Sequence, residues 1–293
     1  MKKAHSLIRA SQASTLSVLS YLRERVRRKG MLDSASSVAR RFNLPTVSRF
    51  LTEIARHRHA RAGQVAPFRV IQIETLGYCN LSCSFCPTNQ IKMPKGRMTD
   101  ALFDRLIGQL SEFDGTIGLY LRNEPLLDKR MVRFARKARS ETRARIVIQT
   151  NGVLLTEELA GDLSEVAHIQ VNDYSGGKEL RRLAPVMKRY GIIGIGRSNP
   201  RGLSNRAGNL PGAGTLTQPL STFCVRPFEQ LYVAFDGRVV LCCQDWKLEE
   251  EMGNANYMTL ADIWKVEDYR LKRAELLDRR RRNLCAACDF PGV

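Results

Sequence analysis

No run in this chain approaches the roughly 18 to 20 consecutive apolar residues that a membrane-spanning helix requires, and its opening, MKKAHSLIRASQASTL, is broken by Ser, Gln and Arg where a secretory signal would be apolar. A transmembrane segment is therefore not expected, and the chain is expected in the cytoplasm. Aromatic residues are sparse at 7%, internal repeats are absent, and acidic residues are scarce at one end: residues 1–66 hold three Asp/Glu against 14 Lys/Arg. That segment alone carries about +11 of the formal net charge of +18. Such a surface suits phosphates, nucleic acid or an anionic membrane, and it equally suits a solvated helical extension.

What is present is an ordinary soluble composition. At 293 residues and 43% apolar content the chain can bury one large core or two smaller ones. In a reducing compartment its eight cysteines are better read as metal ligands or catalytic groups than as disulfides. They form two sets. Cys79, Cys83 and Cys86 lie within YCNLSCSFCP, whereas Cys224, Cys242, Cys243, Cys285 and Cys288 fall in the last quarter.

Helical spacing is expected over 14–29, near 34–42 and over 46–58, with Gly30 as a stop. The stretch SSVARRFNLPTVSRFL resembles the helix-turn-helix of bacterial repressors, but its connection is about two residues short and Pro45 occupies the turn, so DNA binding is not expected. From Phe68 the pattern changes. Five β-rich runs (69–74, 116–121, 145–149, 168–171 and 192–195) alternate with helices beginning near Thr99, Asp128, Thr156 and Lys178, with Thr99 and Thr156 as N-caps. Alternation of this kind predicts parallel pairing, an α/β fold, and chemistry where strands end. Residues 198–219, rich in Gly, Pro and Asn, read as a long functional or boundary loop. QLYVAFDGRVVLC predicts a hairpin turning at Asp236–Gly237, and one helix is expected from about Thr259 to Arg279.

Three clustered cysteines are an unusual number. A cubane of four irons needs one outside ligand per iron, so three thiolates leave one iron open. Zinc is the rival donor-set reading, but a structural zinc site wants a fourth Cys or His close by, and residues 74–100 supply none.

The spacing C-x3-C-x2-C after a strand, with Phe85 before the last cysteine, resembles the signature of the radical S-adenosylmethionine (SAM) superfamily. The likeness extends over about 68–200: LRNEPLLD stands at the place of the family's GGEP motif, with Arg122 and Asn123 replacing its glycines, and QTNG at 149–152 matches the segment after strand three. The resemblance implies a partial (β/α)6 TIM-like barrel over 67–200. It further implies a [4Fe-4S] cluster on Cys79, Cys83 and Cys86 whose open iron chelates SAM. One electron from that cluster would release a 5′-deoxyadenosyl radical that abstracts a hydrogen atom from substrate, with a small one-electron donor such as flavodoxin or ferredoxin as partner. It assigns Glu124 to the methionine ammonium, Tyr78 and Phe85 to adenine, and Asn151, Asn172 and Asp173 to cofactor or substrate contacts.

Cys224, Cys242, Cys285 and Cys288, separated by 18, 43 and 3 positions, suit zinc or iron and sulfur by spacing alone. Their layout resembles the twitch form of the SPASM extension of radical SAM enzymes, here a small α+β unit over 221–293 after a 201–220 linker, which implies a second, fully ligated [4Fe-4S] cluster. The strongest resemblance is to aminoglycoside-pathway dehydrogenases and epimerases acting on sugar-like or aminocyclitol-like small molecules. Oxidation at a carbinol carbon would use the second cluster as electron acceptor and a base among Asp173, Glu229, Asp236 and Asp245. Epimerisation would instead use Cys243 as hydrogen-atom donor, unless Cys243 replaces Cys242 as ligand. Maturation of a ribosomal peptide, its leader gripped by the basic N-terminal helices, and a zinc-stabilised nucleic-acid binder are the remaining alternatives.

Overall fold

The computed structural model describes residues 67–196 and 204–292 other than Pro211, Ala213 and Thr215, together with Ile54, Arg56, His57, His59 and Ala60. The helices expected at 14–29 and 34–42, the repressor-like stretch and most of 46–58 lie outside the described residues.

Five parallel strands, β1 (Val70–Ile73), β2 (Thr116–Gly118), β3 (Arg145–Thr150), β4 (His168–Asp173) and β5 (Ile193–Gly196), alternate with α1 (Asp100–Gly108), α2 (Met131–Glu141), α3 (Glu157–Ser164) and α4 (Lys178–Tyr190). The expected N-caps are present: Thr99 Oγ1 accepts from Leu102 N at 3.2 Å, and Thr156 Oγ1 from Leu159 N at 3.1 Å. Helix α2 begins at Met131 rather than Asp128 because Asp128 folds back on the turn, accepting from Arg130 N at 3.1 Å and Arg130 Nε at 2.9 Å.

Residues beyond the long loop continue the same sheet. A short helix α5 (Arg226–Glu229) leads into β6 (Gln230–Val233), which lies parallel to β1 on the edge opposite β2, with Ile71 beside Leu231 and Ile73 beside Val233. Strands β7 (Arg238–Val240) and β8 (Glu251–Asn254) then add antiparallel, and the order across all eight strands is β5-β4-β3-β2-β1-β6-β7-β8. The expected hairpin turns at Gly237, whose φ of 90° suits glycine. The helix expected over 259–279 is two, α6 (Leu260–Ile263) and α7 (Glu267–Leu277). Arg273 explains the break: its Nη1 captures the Trp264 carbonyl at 2.7 Å while its guanidinium lies 4.0 Å over the Trp264 ring.

Strand alternation sorts the two faces. Ile71, Ile73, Ile117, Ile146, Ile148, Ile169, Val171, Leu231 and Val233 point to the helices and join one core with Phe103, Phe134 and Leu183. The opposite, inner face is mixed, with Gln72, Gln170, Asn172, Gln230 and Tyr232 among Val70, Val147, Ile193, Ile195 and Val240. The basic helical segment at 129–145 is largely answered by acids, with Arg133–Asp100 at 2.6 Å, Arg136–Asp162 at 2.8 Å, Lys137–Glu141 at 2.7 Å and Arg143–Glu112 at 2.9 Å, so it is a solvated, paired surface. Among the described residues no helix is long and apolar enough to cross a membrane.

Candidate active site

The first three cysteines sit on the loop that leaves β1. Its two ends are drawn together by Gly77 N donating to Gly96 O at 2.8 Å, and both glycines lie against the Phe235 ring, where a Cβ would fall 2.8 Å and 2.3 Å from ring carbons. Inside the loop, Gln90 Nε2 donates to the carbonyls of Cys83 at 2.7 Å and Cys86 at 3.0 Å, and Asn89 Nδ2 to Leu81 O at 2.6 Å. The cysteine turns are thus shaped by side chains downstream of them. Cys86 Sγ lies 3.3 Å from Thr88 Oγ1, which donates to Arg122 O at 2.9 Å.

Glu124, at the end of β2, is buried and holds three elements together. Its carboxylate accepts from Leu126 N at 3.0 Å, Thr150 Oγ1 at 2.7 Å and Asn151 N at 2.7 Å. Burial pushes its pKa up against these bonds, and among the described residues no Lys or Arg pairs with it. Asn151 Nδ2 donates to Asn80 Oδ1 at 2.7 Å, bringing the end of β3 to the cysteine loop. Gln170 Nε2 donates to Asn172 Oδ1 at 3.0 Å. Asp173 is committed to capping: it accepts from Ser175 N, Ser175 Oγ and Leu180 N at 2.6, 2.5 and 3.1 Å. Burial alone would raise its pKa, but these bonds hold it below the usual carboxylate range.

The aromatic pair expected around adenine is arranged differently. Phe85 meets Tyr174 at 5.2 Å between centroids, while Tyr78 is 43% exposed with the Lys95 ammonium 5.9 Å above its ring. Tyr174 escaped the sequence reading because a tyrosine after a strand carries no spacing signal. It lines a cleft of about 240 Å³ together with Cys83, Asn151, Val153, Ser175 and Glu179.

Arg122, standing where a family glycine is expected, forms a buried ion pair. Its Nη2 meets Glu74 Oε2, its Nε and backbone N each lie 3.2 Å from Glu74 Oε1, and its Nη1 donates to Trp246 O at 2.8 Å. The ends of β1 and β2 are therefore tied to the C-terminal segment. Burial raises the pKa of Glu74, opposed by Arg122.

The second cysteine set follows β6 and β7. Just past the end of β7, Cys242 packs against the helix-side core, as does Cys285, whereas Cys243 packs against the cluster of Tyr232 and Val240; the two thiols are still close enough to hydrogen-bond. Hydrogen bonding with Cys242 holds the Cys243 thiol below its ordinary pKa despite burial, with Arg226 and Tyr232 acting in the same direction. Cys224 lies close enough to Cys242, Cys285 and Cys288 to raise the pKa of each. Arg226 Nη1 stands 3.8 Å from Cys242 Sγ, its guanidinium 3.7 Å over the Phe290 ring. The described part of the long loop joins both sets: Arg206 Nε donates to Phe85 O at 3.3 Å, Asn209 Nδ2 to Gln244 O at 3.2 Å and Asn205 Nδ2 to Ala287 O at 2.7 Å.

The other candidate bases are engaged. Glu229 Oε1 lies 3.2 Å from His59 Nε2, Asp236 pairs with Arg238 at 2.7 Å, and Asp245 accepts from the amides of Glu249 and Glu250 at 3.0 and 2.8 Å. The His59 ring lies against Phe223 and Phe228, with centroids 6.0 and 4.9 Å away.

A parallel α/β sheet with a cysteine loop after its first strand defines a class, and comparison agrees with it. A family model of the radical SAM superfamily matches residues 73–189, and one of SPASM, an iron-sulfur cluster-binding domain, matches residues 224–289. The S-adenosyl-L-methionine-dependent 2-deoxy-scyllo-inosamine dehydrogenase of Niallia circulans is 31% identical over 242 residues, covering 77% of this chain and 94% of that protein. The chain belongs to the radical SAM superfamily and carries a SPASM domain; it is a radical SAM enzyme with [4Fe-4S] clusters and SAM as cofactors. Among solved structures, BtrN in complex with AdoMet and 2-DOIA matches with a TM-score of 0.70 at 29% identity, covering 78% of this chain and 95% of that one. SuiB of Streptococcus suis bound to precursor peptide SuiA matches in fold alone, with a TM-score of 0.52 at 11% identity over 83% of this chain and 74% of that one.

The donor chemistry fits these cofactors. Burial drives the Cys79 thiol up to about 11 and Cys285 up to about 12, neighbouring cysteines adding to both. Bare, these groups stay protonated; iron supplies the positive charge that makes their thiolates stable.

Proposed function

We propose that the chain is a radical SAM dehydrogenase that oxidises a carbinol carbon of a hydroxylated ring, sugar-like or aminocyclitol-like. Cys79, Cys83 and Cys86 would hold the cluster that binds SAM, and Cys224, Cys242, Cys285 and Cys288 the auxiliary cluster. The observation that carries this reading is the inner face of the sheet. Its polar positions are Gln72, Tyr120, Gln149, Gln170, Asn172, Gln230 and Tyr232, set among Val70, Val147, Ile193, Ile195 and Val240: the register sets Gln72 beside Tyr232 and Gln149 beside Gln170, and Gln149 Nε2 donates to Tyr120 OH at 3.0 Å. Amides and phenols offer both donors and acceptors, as a ring of hydroxyls requires. The relative from Niallia circulans, a 2-deoxy-scyllo-inosamine dehydrogenase, acts on such a molecule.

When bound, the cluster and SAM supply a radical able to take a hydrogen atom from an unactivated C–H bond. The chain's own residues do the rest. Glu124, buried without a cationic partner, suits the SAM ammonium, and its bonds to Thr150 and Asn151 keep it aimed. Phe85 and Tyr174 form the aromatic wall beside Cys83. Arg206 donates to Phe85 O beside this wall.

The test is a screen of aminocyclitols and aminosugars for stimulated 5′-deoxyadenosine release by anaerobically prepared enzyme. The expected product is lighter than its substrate by two hydrogens; release without such a product sinks the dehydrogenase reading. Epimerisation is the second reading, favoured by the seat of Cys243 beside Tyr232. It requires deuterium from deuterated water at an inverted carbon, lost in Cys243→Ala.

A further inference from the structure

Two guanidinium groups beside the second cysteine set have no carboxylate partner among the described residues. Arg281 is only 5% exposed, and its bonds go to neutral acceptors: Thr222 O at 3.0 Å, Thr222 Oγ1 at 2.7 Å, Cys288 O at 3.3 Å and Phe290 O at 2.8 Å. Arg226 is partly buried between the Phe290 ring at 3.7 Å and Cys242 Sγ at 3.8 Å, with Cys224 and Cys243 also near enough to act on its charge. Elsewhere in this chain Arg122 pairs with Glu74 and Arg130 with Asp128, while Arg273, also buried with no acid among the described residues, bonds to the Pro227 and Trp264 carbonyls and lies over the Trp264 and Tyr269 rings instead of bonding to a cysteine sulfur. An uncompensated buried charge costs several kcal/mol, so two of them around four thiols favour an anion there. Four thiolates on a [4Fe-4S] core carry a net negative charge in either oxidation state, and more of it when reduced.

We infer that Arg226 and Arg281 form a cationic clamp that raises the reduction potential of the cluster held by Cys224, Cys242, Cys285 and Cys288, making it an electron acceptor. The inference rests on the auxiliary-cluster reading above and adds the residues that set that cluster's potential. Oxidising a carbinol to a ketone removes two electrons and two protons. One electron and one proton leave as the abstracted hydrogen atom, the second proton goes to a base, and the second electron reduces this cluster by one unit. The clamp favours that last transfer because the reduced cluster carries the larger negative charge facing Arg226. Electrostatics near a cluster, through net charge and bonds to its sulfurs, is one of the protein's means of setting its potential. Arg226 and Arg281 are positioning residues in this role, touching the ligands and not the substrate.

The experiment is a redox titration of the full chain carrying Cys79→Ala, Cys83→Ala and Cys86→Ala, which leaves the second cluster as the paramagnetic centre observed. Four irons per chain establish that cluster; zinc, or no iron, overturns the auxiliary-cluster reading and the inference with it. With the cluster present, Arg226→Gln is expected to lower the ratio of reduced to oxidised cluster at least tenfold at the parent's midpoint, a shift of about 59 mV for one electron. Arg226→Lys, which keeps the charge, is expected to restore most of it. An unchanged midpoint in Arg226→Gln at full iron content overturns the clamp. If that variant loses iron, Arg281→Gln is read in the same titration, with an unchanged midpoint again decisive against it. Loss of iron from both Gln variants but not from the Lys variants assigns the same requirement to charge.

Discussion

Arg122 shows what a single substitution in a recognisable motif does to the architecture around it. Where the family pattern has glycine, a guanidinium with about 3% exposure binds Glu74, which has none, and reaches Trp246 O. Removing one partner of such a pair leaves a buried charge unanswered, which costs about 3–5 kcal/mol. Arg122→Ala is therefore expected to lower unfolding free energy by that amount in denaturant titrations, with Glu74→Gln recovering part of the loss in the double variant. Additive losses in the two single variants and their combination would show that the pair does not act as a unit. At this scale the sequence was informative where chemistry is local. The cysteine spacing, the caps Thr99 and Thr156, and the departure from glycine at Arg122 could all be read. Tyr174, Arg206 and Arg226 could not, because each acquires its place from residues far along the chain, Tyr174 and Arg206 from Phe85 and Arg226 from Phe290. The candidate bases were legible only as residue types: Asp173 looked free in sequence and is spent on the start of α4.

Elements were legible in proportion to how local their cause is. The five parallel strands follow from short β-branched runs between amphipathic helices, and all five are present, with β6 as a sixth beside β1. The seat of β6 beside β1 depends on two segments about 160 residues apart, so no period in either reports it. The single helix expected over 259–279 is interrupted by a local contact that apolar spacing does not report, Arg273 Nη1 donating to the Trp264 carbonyl nine residues back. The cysteine loop has a comparable long-range support in Phe235, which leaves the end of β6 and covers Gly77 and Gly96. Phe235 is 9% exposed, and truncating a buried phenylalanine costs about 3–5 kcal/mol when the site cannot collapse. Phe235→Ala is expected to lower the melting temperature and to open residues 78–96 to proteolysis before the rest of the chain. Gly96→Ala should open the same loop, because its Cβ would sit 2.3 Å from the ring. Uniform protease resistance in both variants would remove Phe235 from this role.

For the whole molecule, the continuity of the sheet means that the radical SAM match and the SPASM match are segments of one folding unit. Their boundary in sequence crosses β1–β6 pairing, the Arg122 link to Trp246 and the contacts of Arg206 and Asn205 from the intervening loop. A chain ending at residue 220 would leave β1 with an open edge, its hydrogen-bonding groups unpaired and Ile71 and Ile73 stripped of Leu231 and Val233. Exposed apolar edges template association with other chains, so this truncation is expected to aggregate. By contrast, a single protease cut within 197–203 of the intact protein should leave two fragments that co-elute and unfold in one transition, held by the sheet itself. A soluble, monodisperse 67–220 fragment with native-like circular dichroism would mean that the parallel strands close without β6. In that case the second cysteine set would be an independent module instead of the far wall of the same site.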